Sequence, residues 1–396
     1  MLKLSGKILG VENFLSESGP GSIFKLISNE VDRLELLPQD AFLVSNEGTI
    51  PENCAVYLIL KCNINLCNLL PKNSPVVYLE DDFKYLGVGD VVRVSIEDMK
   101  IRTLYRKVSN QNHFLVTERC DNYCLMCSQP PKSQNDDWVI EEILKVLPLI
   151  DPNTKELGFT GGEPTLLGKR FIEVLHSCKD ILPNTGIHVL SNGRKFSDIE
   201  FAKDWANINH PDLMVGIPVY SDLSTVHDYV VQADSAYDQT IRGILNLKRL
   251  QQRVEIRVVL HKQTISSLIR LAEFISRNLL FVDHVALMGL EIMGFTRANL
   301  DSLWIDPVDY QKELLEAVQI LDSNKLKVSI YNLPLCLLDR KLWSFAVQSI
   351  SDWKNEYLPQ CGSCDVRNKC AGFFWSAQFK NSGSIYPIIN RSVVSL

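Results

Sequence analysis

The chain has no apolar run long enough to cross a bilayer, and little that would hold a nucleic acid. Its opening residues, MLKLSGKILGVENFL, lack the continuous apolar core and small-residue cleavage site of a secretory signal. Lysine and arginine total 41 against 47 acidic residues, a formal charge of −6. The basic residues are scattered, and KRLQQR (248–253) reads as a solvated helix face, not as a phosphate-binding patch. Histidine is scarce too, with seven residues that form no metal-ligand spacing. These absences lead to an expectation of a cytoplasmic protein with no membrane and no nucleic-acid partner.

Cysteine, in contrast, is plentiful. Eleven thiols in a reducing compartment argue for metal or redox chemistry and against disulfides. With 396 residues, 46% apolar and 22% charged, the chain can build a main domain with appendages around a large core.

The organisation changes twice. Residues 1–110 carry short alternating apolar runs (AVYLILKC, SPVVYLEDD, GVGDVVRVSI) between turn clusters, with no helical stretch of comparable strength. They predict a small β-rich domain of the kind that can close into a barrel. Residues 111–331 alternate near-continuous apolar strands with amphipathic helices: HFLVTERC, then DDWVIEEILKVLPLI, KELGFTGG, GKRFIEVLHSC, GIHVLSNG and onward to KVSIY. Repeated βα units of this kind predict an α/β fold with a parallel sheet, a full or partial barrel whose active site lies where the strands end. Residues 332–396 lose the alternation and hold four cysteines among aromatics and glycines, as a metal-organised module would.

ERCDNYCLMC follows the first strand of the βα series and places Cys120, Cys124 and Cys127 within eight positions. Thiolates are soft ligands for zinc and for iron–sulfur clusters. Three of them can hold three corners of a four-iron cubane and leave one iron open, whereas zinc needs a fourth ligand nearby. FTGGEPTL ends the second strand, where Gly161 and Gly162 let backbone come close to a ligand and Glu163 offers a carboxylate to an ammonium. A plain turn with a helix-capping carboxylate is the alternative. VLSNG ends the third strand, and Ser191 and Asn192 can donate hydrogen bonds there, although Asn-Gly is also a strong turn former. Met288 in VALMGLEIMG is a ligand contact or core filler. Arg257 faces the barrel interior, towards a ligand carboxylate or a structural partner. The tail set is Cys336 with Cys361-x2-Cys364-x5-Cys370. Cys54, Cys62, Cys67 and Cys178 are expected as buried small hydrophobes, and His227-Asp228 as a surface turn.

Cys120-x3-Cys124-x2-Cys127, with Tyr123 before the middle cysteine, resembles the signature of the radical S-adenosylmethionine (radical SAM) superfamily. The resemblance implies a partial (β/α) barrel and a four-iron cluster whose open iron chelates SAM. It also implies reductive cleavage of SAM to a 5′-deoxyadenosyl radical that takes hydrogen from a substrate. It further implies a SAM-binding set of Tyr123, Gly161, Gly162, Glu163, Ser191, Asn192 and Met288. The tail resembles the auxiliary-cluster modules of radical SAM enzymes that modify peptides, in a shortened form. This implies a second 4Fe–4S cluster on Cys336, Cys361, Cys364 and Cys370, with a structural zinc as the alternative. FLVTERCDNYCLMCSQPPK, NLPLC, SISDWKNEYLPQC and CAGFF, over about residues 110–376, are similar to the His-Xaa-Ser system maturases (HxsC type). That likeness implies a ribosomally made precursor with His-Xaa-Ser repeats, a second radical SAM partner, and an electron donor such as flavodoxin or ferredoxin. Two other readings stay open, a radical SAM enzyme acting on a small molecule or nucleoside and a non-enzymatic metal-binding scaffold.

Overall fold

The computed structural model describes residues 3–14, 22–28, 37–45, 49–348 and 355–389. Seven strands close a barrel at the amino-terminal end: β1 (Ser5–Glu12), β2 (Ser22–Leu26), β3 (Asp40–Val44), β4 (Val56–Leu60), β5 (Val76–Leu79), β6 (Val91–Ser95) and β7 (Lys100–Tyr105). The barrel is mixed, with β2 to β5 running parallel in sequence and β1, β6 and β7 closing it by antiparallel pairs. Its interior holds Phe24, Leu58, Val77, Phe83, Val92 and Ile101. The alternating runs account for the strands. KCNINLCNL (61–69) differs from expectation and winds into a 3-10 helix that buries only Leu66.

The second layer is a parallel sheet of β8 (Asn112–Leu115), β9 (Glu156–Thr160), β10 (Gly186–Leu190), β11 (Leu213–Pro218), β12 (Arg253–Leu260), β13 (His284–Gly289) and β14 (Val328–Tyr331). The strands stand in sequence order and do not close into a ring, so the barrel is partial. Its helices are α1 (Trp138–Val146), α2 (Lys169–Ile181), α3 (Ile199–Asn207), α4 (Ser224–Val231), α5 (Ala236–Arg249), α6 (Lys262–Ile265), α7 (Leu268–Asn278), α8 (Phe295–Ala298), α9 (Leu300–Leu303) and α10 (Gln311–Ser323). Each long helix buries one stripe; α5 buries Ala236, Thr240, Gly243, Ile244 and Leu247, which fall on one helical face. Val254, Ile256 and Val258 of β12 are fully buried in the core that the helices complete, each such side chain contributing about 1.5–3 kcal/mol.

The two layers share that core. Val91, Leu104 and Tyr105 of the closed barrel pack into the same apolar cluster as the parallel sheet. Arg93 pairs with Glu142 of α1 at 3.0 Å, and its guanidinium lies 4.7 Å from the centre of the Trp138 ring. Tyr105 Oη and Thr154 Oγ1 stand 2.7 Å apart just before β9.

After β14 the chain runs in 3-10 turns, with one two-residue ladder between β15 (Asn355–Glu356) and β16 (Phe373–Phe374). No helix among the described residues is long and apolar enough to cross a membrane.

Candidate functional site

The cysteine loop leaves β8 and crosses the carboxyl-terminal mouth of the sheet, meeting the exits of later strands in turn. At its start, buried Asp136 accepts from Thr117 Oγ1 at 2.9 Å, from the Glu118 amide at 2.5 Å and from Arg119 Nε at 3.1 Å. At the β9 exit, the Gly162 and Glu163 amides donate to the carbonyls of Thr117 and Arg119, both at 2.7 Å. A Cβ on Gly161 would meet the Thr117 oxygen at 2.3 Å, and one on Gly162 the Arg119 oxygen at 2.0 Å. Backbone of the cysteine loop therefore fills the space that these glycines leave. They set the loop against β9.

Glu163 is 1% exposed, and four donors meet its carboxylate. Oε1 accepts from the Thr165 amide at 3.0 Å, Thr165 Oγ1 at 2.6 Å and Ser191 Oγ at 2.8 Å, while Oε2 accepts from the Asn192 amide at 2.5 Å. Burial pushes the Glu163 pKa up, and the donors pull against that rise. The side chain thus caps the 3-10 turn Pro164–Leu167 and also ties the β9 exit to the β10 exit. Asn192 Nδ2 continues the chain to Asp121 Oδ1 at 2.6 Å. Arg194 donates to the Asp121 carbonyl and to Asn122 Oδ1, each at 2.8 Å.

The middle of the loop pairs with the end of α4, through Tyr123 amide to Val231 carbonyl at 3.0 Å and Leu125 amide to Val230 carbonyl at 2.9 Å. Met126 is buried with Tyr220, Val230 and Leu303, and Cys124, Leu125, Val259 and Leu290 pack against that cluster. The far end is held from beyond β13. The Phe295 amide donates to the Cys127 carbonyl at 2.8 Å, Thr296 Oγ1 to that of Met126 at 3.0 Å, and Asn299 Nδ2 to that of Leu125 at 2.9 Å.

The three thiols are half-buried and free. Burial pushes Cys120 up to about 12 and raises Cys127, while Cys124 is raised by burial and further by Cys127 and Cys120. They are near enough to oppose one another's ionisation, which is the environment in which bound metal takes the place of the protons. Three soft sulfurs on one loop fit thiolate-bound iron. Among the described residues, no group of three or more His, Cys, Asp or Glu is arranged to hold a metal ion. In a cubane each thiolate binds a different iron, so the sulfurs need not converge on one point as they do around zinc.

The remaining expected residues separate. The Tyr123 side chain is 55% exposed and stands away from the core. Met288 is buried, with its sulfur 2.9 Å from Arg257 Nη2. Arg257 has the structural partner, donating to Glu255 Oε1 at 2.7 Å. Glu255 also meets His284 Nδ1 at 2.6 Å, and His188 Nε2 lies 3.5 Å away. Burial alone would raise the Glu255 pKa, but the His284 hydrogen bond and the Arg257 charge outweigh it and hold it at about 2. His227 is not on a surface turn; it is buried in α4 and its Nδ1 accepts from the Tyr220 amide at 3.2 Å. Cys54 and Cys178 are buried as expected, whereas Cys67 is half-buried and Cys62 is exposed at the start of the 3-10 helix.

The four tail cysteines line one cavity of about 300 Å³, part of it open to solvent. Cys336 follows β14, Cys361 lies within the 3-10 turn Pro359–Ser363 and Cys364 caps its end, and Cys370 precedes β16. Backbone amides point at two of the sulfurs: Leu335 and Gly372 at Cys370, at 3.4 and 3.5 Å, and Ile388 at Cys364, at 3.4 Å. Such donors favour thiolate over thiol.

Several supports of the site were not apparent from the sequence. Asp121, Asn122, Asp136 and Arg194 sit in or beside the motifs as ordinary polar residues. Thr296 and Asn299 meet the loop from 170 and 174 positions away, a distance at which local pattern carries no signal.

The model of the radical SAM superfamily matches residues 114–275. That stretch, which runs from β8 into α7, is similar to the radical SAM superfamily. Among solved structures, Streptococcus suis SuiB bound to precursor peptide SuiA is 14% identical, covers 56% of this chain and 48% of that one, and has a TM-score of 0.44. Native anSMEcpe with bound AdoMet and Kp18Cys peptide is 14% identical over 70% of this chain and 91% of that one, with a TM-score of 0.48. Coproporphyrinogen III oxidase (HemN) from Escherichia coli is 16% identical over 54% and 51%, with a TM-score of 0.41. The chain spans about half the length of the SuiB chain it matches. No curated protein matches it.

Proposed function

We propose that this chain is a radical SAM enzyme that modifies a ribosomally made peptide carrying His-Xaa-Ser repeats. The observation that carries the catalytic half is the three-cysteine loop, fastened across the mouth of an open parallel sheet beside residues 161–163 and 191–192, within the stretch similar to the radical SAM superfamily. Cys120, Cys124 and Cys127 hold a 4Fe–4S cluster, and Gly161, Gly162, Glu163, Ser191, Asn192, Met288 and the exposed ring of Tyr123 serve SAM. When bound, that pair supplies one electron to the sulfonium and a 5′-deoxyadenosyl radical that takes hydrogen from substrate. The chain's own residues keep the loop in register: Asp136 at its start, Arg194 and Asn192 at Asp121 and Asn122, Thr296 and Asn299 at its end.

Cys336, Cys361, Cys364 and Cys370 hold the auxiliary cluster of a module spanning residues 332–396, beside a radical SAM barrel over 111–331. The peptide half rests on the sequence likeness and on the four cysteines that share one cavity. The amino-terminal barrel, residues 1–110, or a second radical SAM partner holds the precursor, and a flavodoxin or ferredoxin delivers the electron in the cytoplasm. The test is anaerobic purification, assay of SAM cleavage, and co-expression with a His-Xaa-Ser precursor. Cys124→Ala is expected to abolish 5′-deoxyadenosine formation while the fold, built on apolar strands, survives. A mass change in the repeats is expected with the intact chain alone. An altered metabolite or nucleoside with an unaltered precursor refutes the peptide half, and full SAM cleavage by Cys124→Ala refutes the catalytic half.

A further inference from the structure

Two residues past the end of β11, Tyr220 is 6% exposed and shares an apolar cluster with Met126, Val230, Val231 and Leu303. Cys124 packs against that cluster, so a phenol is built into the same small core that seats the middle of the cysteine loop. The ring is wedged among its neighbours. The Tyr220 amide donates to His227 Nδ1 at 3.2 Å, and the His227 and His261 rings lie 5.8 and 6.2 Å from the phenol ring between centres. Just before it, the Val219 amide donates to the Arg257 carbonyl at 3.1 Å, which fixes the root of the side chain against β12. A ring packed in this way has little freedom to turn its hydroxyl elsewhere.

The hydroxyl is left without a partner. It makes no hydrogen bond among the described residues, and unlike both ring nitrogens of the neighbouring His261 it is not sealed from water. Electrostatically it is coupled to Cys124, Cys127 and Arg257. A buried tyrosine hydroxyl ordinarily finds a hydrogen-bond partner, and the groups within its reach include two of the three loop sulfurs. Cys120 already shows how a donor meets such a sulfur, with the Asn122 amide pointing at its Sγ at 3.4 Å.

Resting on the reading that Cys120, Cys124 and Cys127 hold a 4Fe–4S cluster, we propose that Tyr220 Oη donates a hydrogen bond to a sulfur on the Cys124–Cys127 side of that cluster and thereby sets its reduction potential. Reduction adds one negative charge, spread over iron and sulfur, and a hydrogen bond to sulfur is stronger after the electron arrives than before. The hydroxyl therefore raises the potential and eases entry of the electron on which SAM cleavage depends. Tyr220 tunes the cluster and does not hold it, because the three thiolates supply the ligation.

The test uses the full chain, purified and reconstituted anaerobically without SAM, with reduction followed by electron paramagnetic resonance in a redox titration. Tyr220→Phe keeps the ring and deletes the donor. It is expected to keep wild-type iron and cluster absorbance and to make one-electron reduction about tenfold less favourable, a fall of about 59 mV in midpoint. Tyr237→Phe is the control. It deletes a hydroxyl on the other aromatic neighbour of His227, one that donates to the Asp222 carbonyl at 3.2 Å, and should leave the midpoint in place. In the reduced wild-type protein, pulsed resonance in deuterated buffer should show a deuteron coupled to the cluster that Tyr220→Phe lacks. A reduction equilibrium for Tyr220→Phe within about twofold of wild type overturns the proposal. So does a shift that appears only once SAM is added, an equal shift in Tyr237→Phe, or loss of iron in Tyr220→Phe. Failure of the wild-type chain to take up iron is a different result, and refutes the cluster reading on which the proposal rests.

Discussion

Replacing Glu163 with alanine removes the acceptor shared by four buried donors and nothing else of comparable size. Two of the donors are hydroxyls, on Thr165 and Ser191, which can rotate towards other acceptors. The other two are the Thr165 and Asn192 amides, fixed by the backbone and unable to follow. A buried amide left without an acceptor costs about 1–3 kcal/mol, and a lost cap costs about 1 kcal/mol. Allowing for relaxation, Glu163→Ala should destabilise the domain by about 3–5 kcal/mol, or about 10 °C in melting temperature for a domain of this size. Glu163→Gln should recover only part of this, because its amide nitrogen would face a donor on one side. The assay is thermal melting of the SAM-free chain, followed by SAM binding and cluster absorbance on the reconstituted protein. Both variants should bind SAM more weakly at unchanged cluster absorbance. A melting temperature for Glu163→Ala within about 1 °C of wild type would refute the network reasoning, whatever happens to SAM.

Acid should unfold the chain in two stages. His188, His227 and His261 are held by burial at about 4, against an ordinary value of 6.5, so the unfolded chain binds their protons first and stability falls as pH drops from about 6.5 to 4. Each shift corresponds to about 3 kcal/mol, and Glu255, depressed from 4.5 to about 2, extends the loss below pH 4.5; equal urea midpoints at pH 6.5 and 4.5 would defeat this. Gly294→Ala places a Cβ 2.3 Å from the Cys127 oxygen at φ +54°, and iron content should fall by more than about half with far-UV dichroism retained. Gly168→Ala is the control, strained at φ +56° but with nothing within 4 Å, and should keep its iron. Alanine at Cys361 and Cys364 should lower iron from about eight to about four per chain and loosen the tail to proteolysis; zinc in the intact protein in place of that iron would leave a structural site without the cluster.

The parallel sheet was legible because one face of its strands is apolar and its helices carry single stripes, while the other face holds His188, Glu255, Arg257 and His284. Each strand from HFLVTERC to KVSIY lies where the alternation put it. The order within the closed barrel was not legible, since β2 to β5 pair in parallel through connections that no turn signature encodes. At the site, the motifs announced the three exits that meet at Glu163. They did not announce that the glycines face the loop's own backbone, because a glycine reports that something comes close without saying what. The His227-Asp228 pair misled for a related reason. Two polar residues after a strand suggest solvent, but the ring is enclosed by Tyr220 and Tyr237, at 5.8 and 5.7 Å between ring centres.

The cysteine loop begins at one edge strand of an open sheet and ends pinned to the chain beyond β13, next to the other edge. It is in effect a tie-beam across an unfinished arch. Any motion that spreads the two edges must stretch the same short segment that carries Cys120, Cys124 and Cys127. The spacing of the three sulfurs and the curvature of the sheet are therefore one mechanical variable. A group that bridges the sulfurs stiffens the arch, and a guest that pries the open side apart is felt first at the metal ligands.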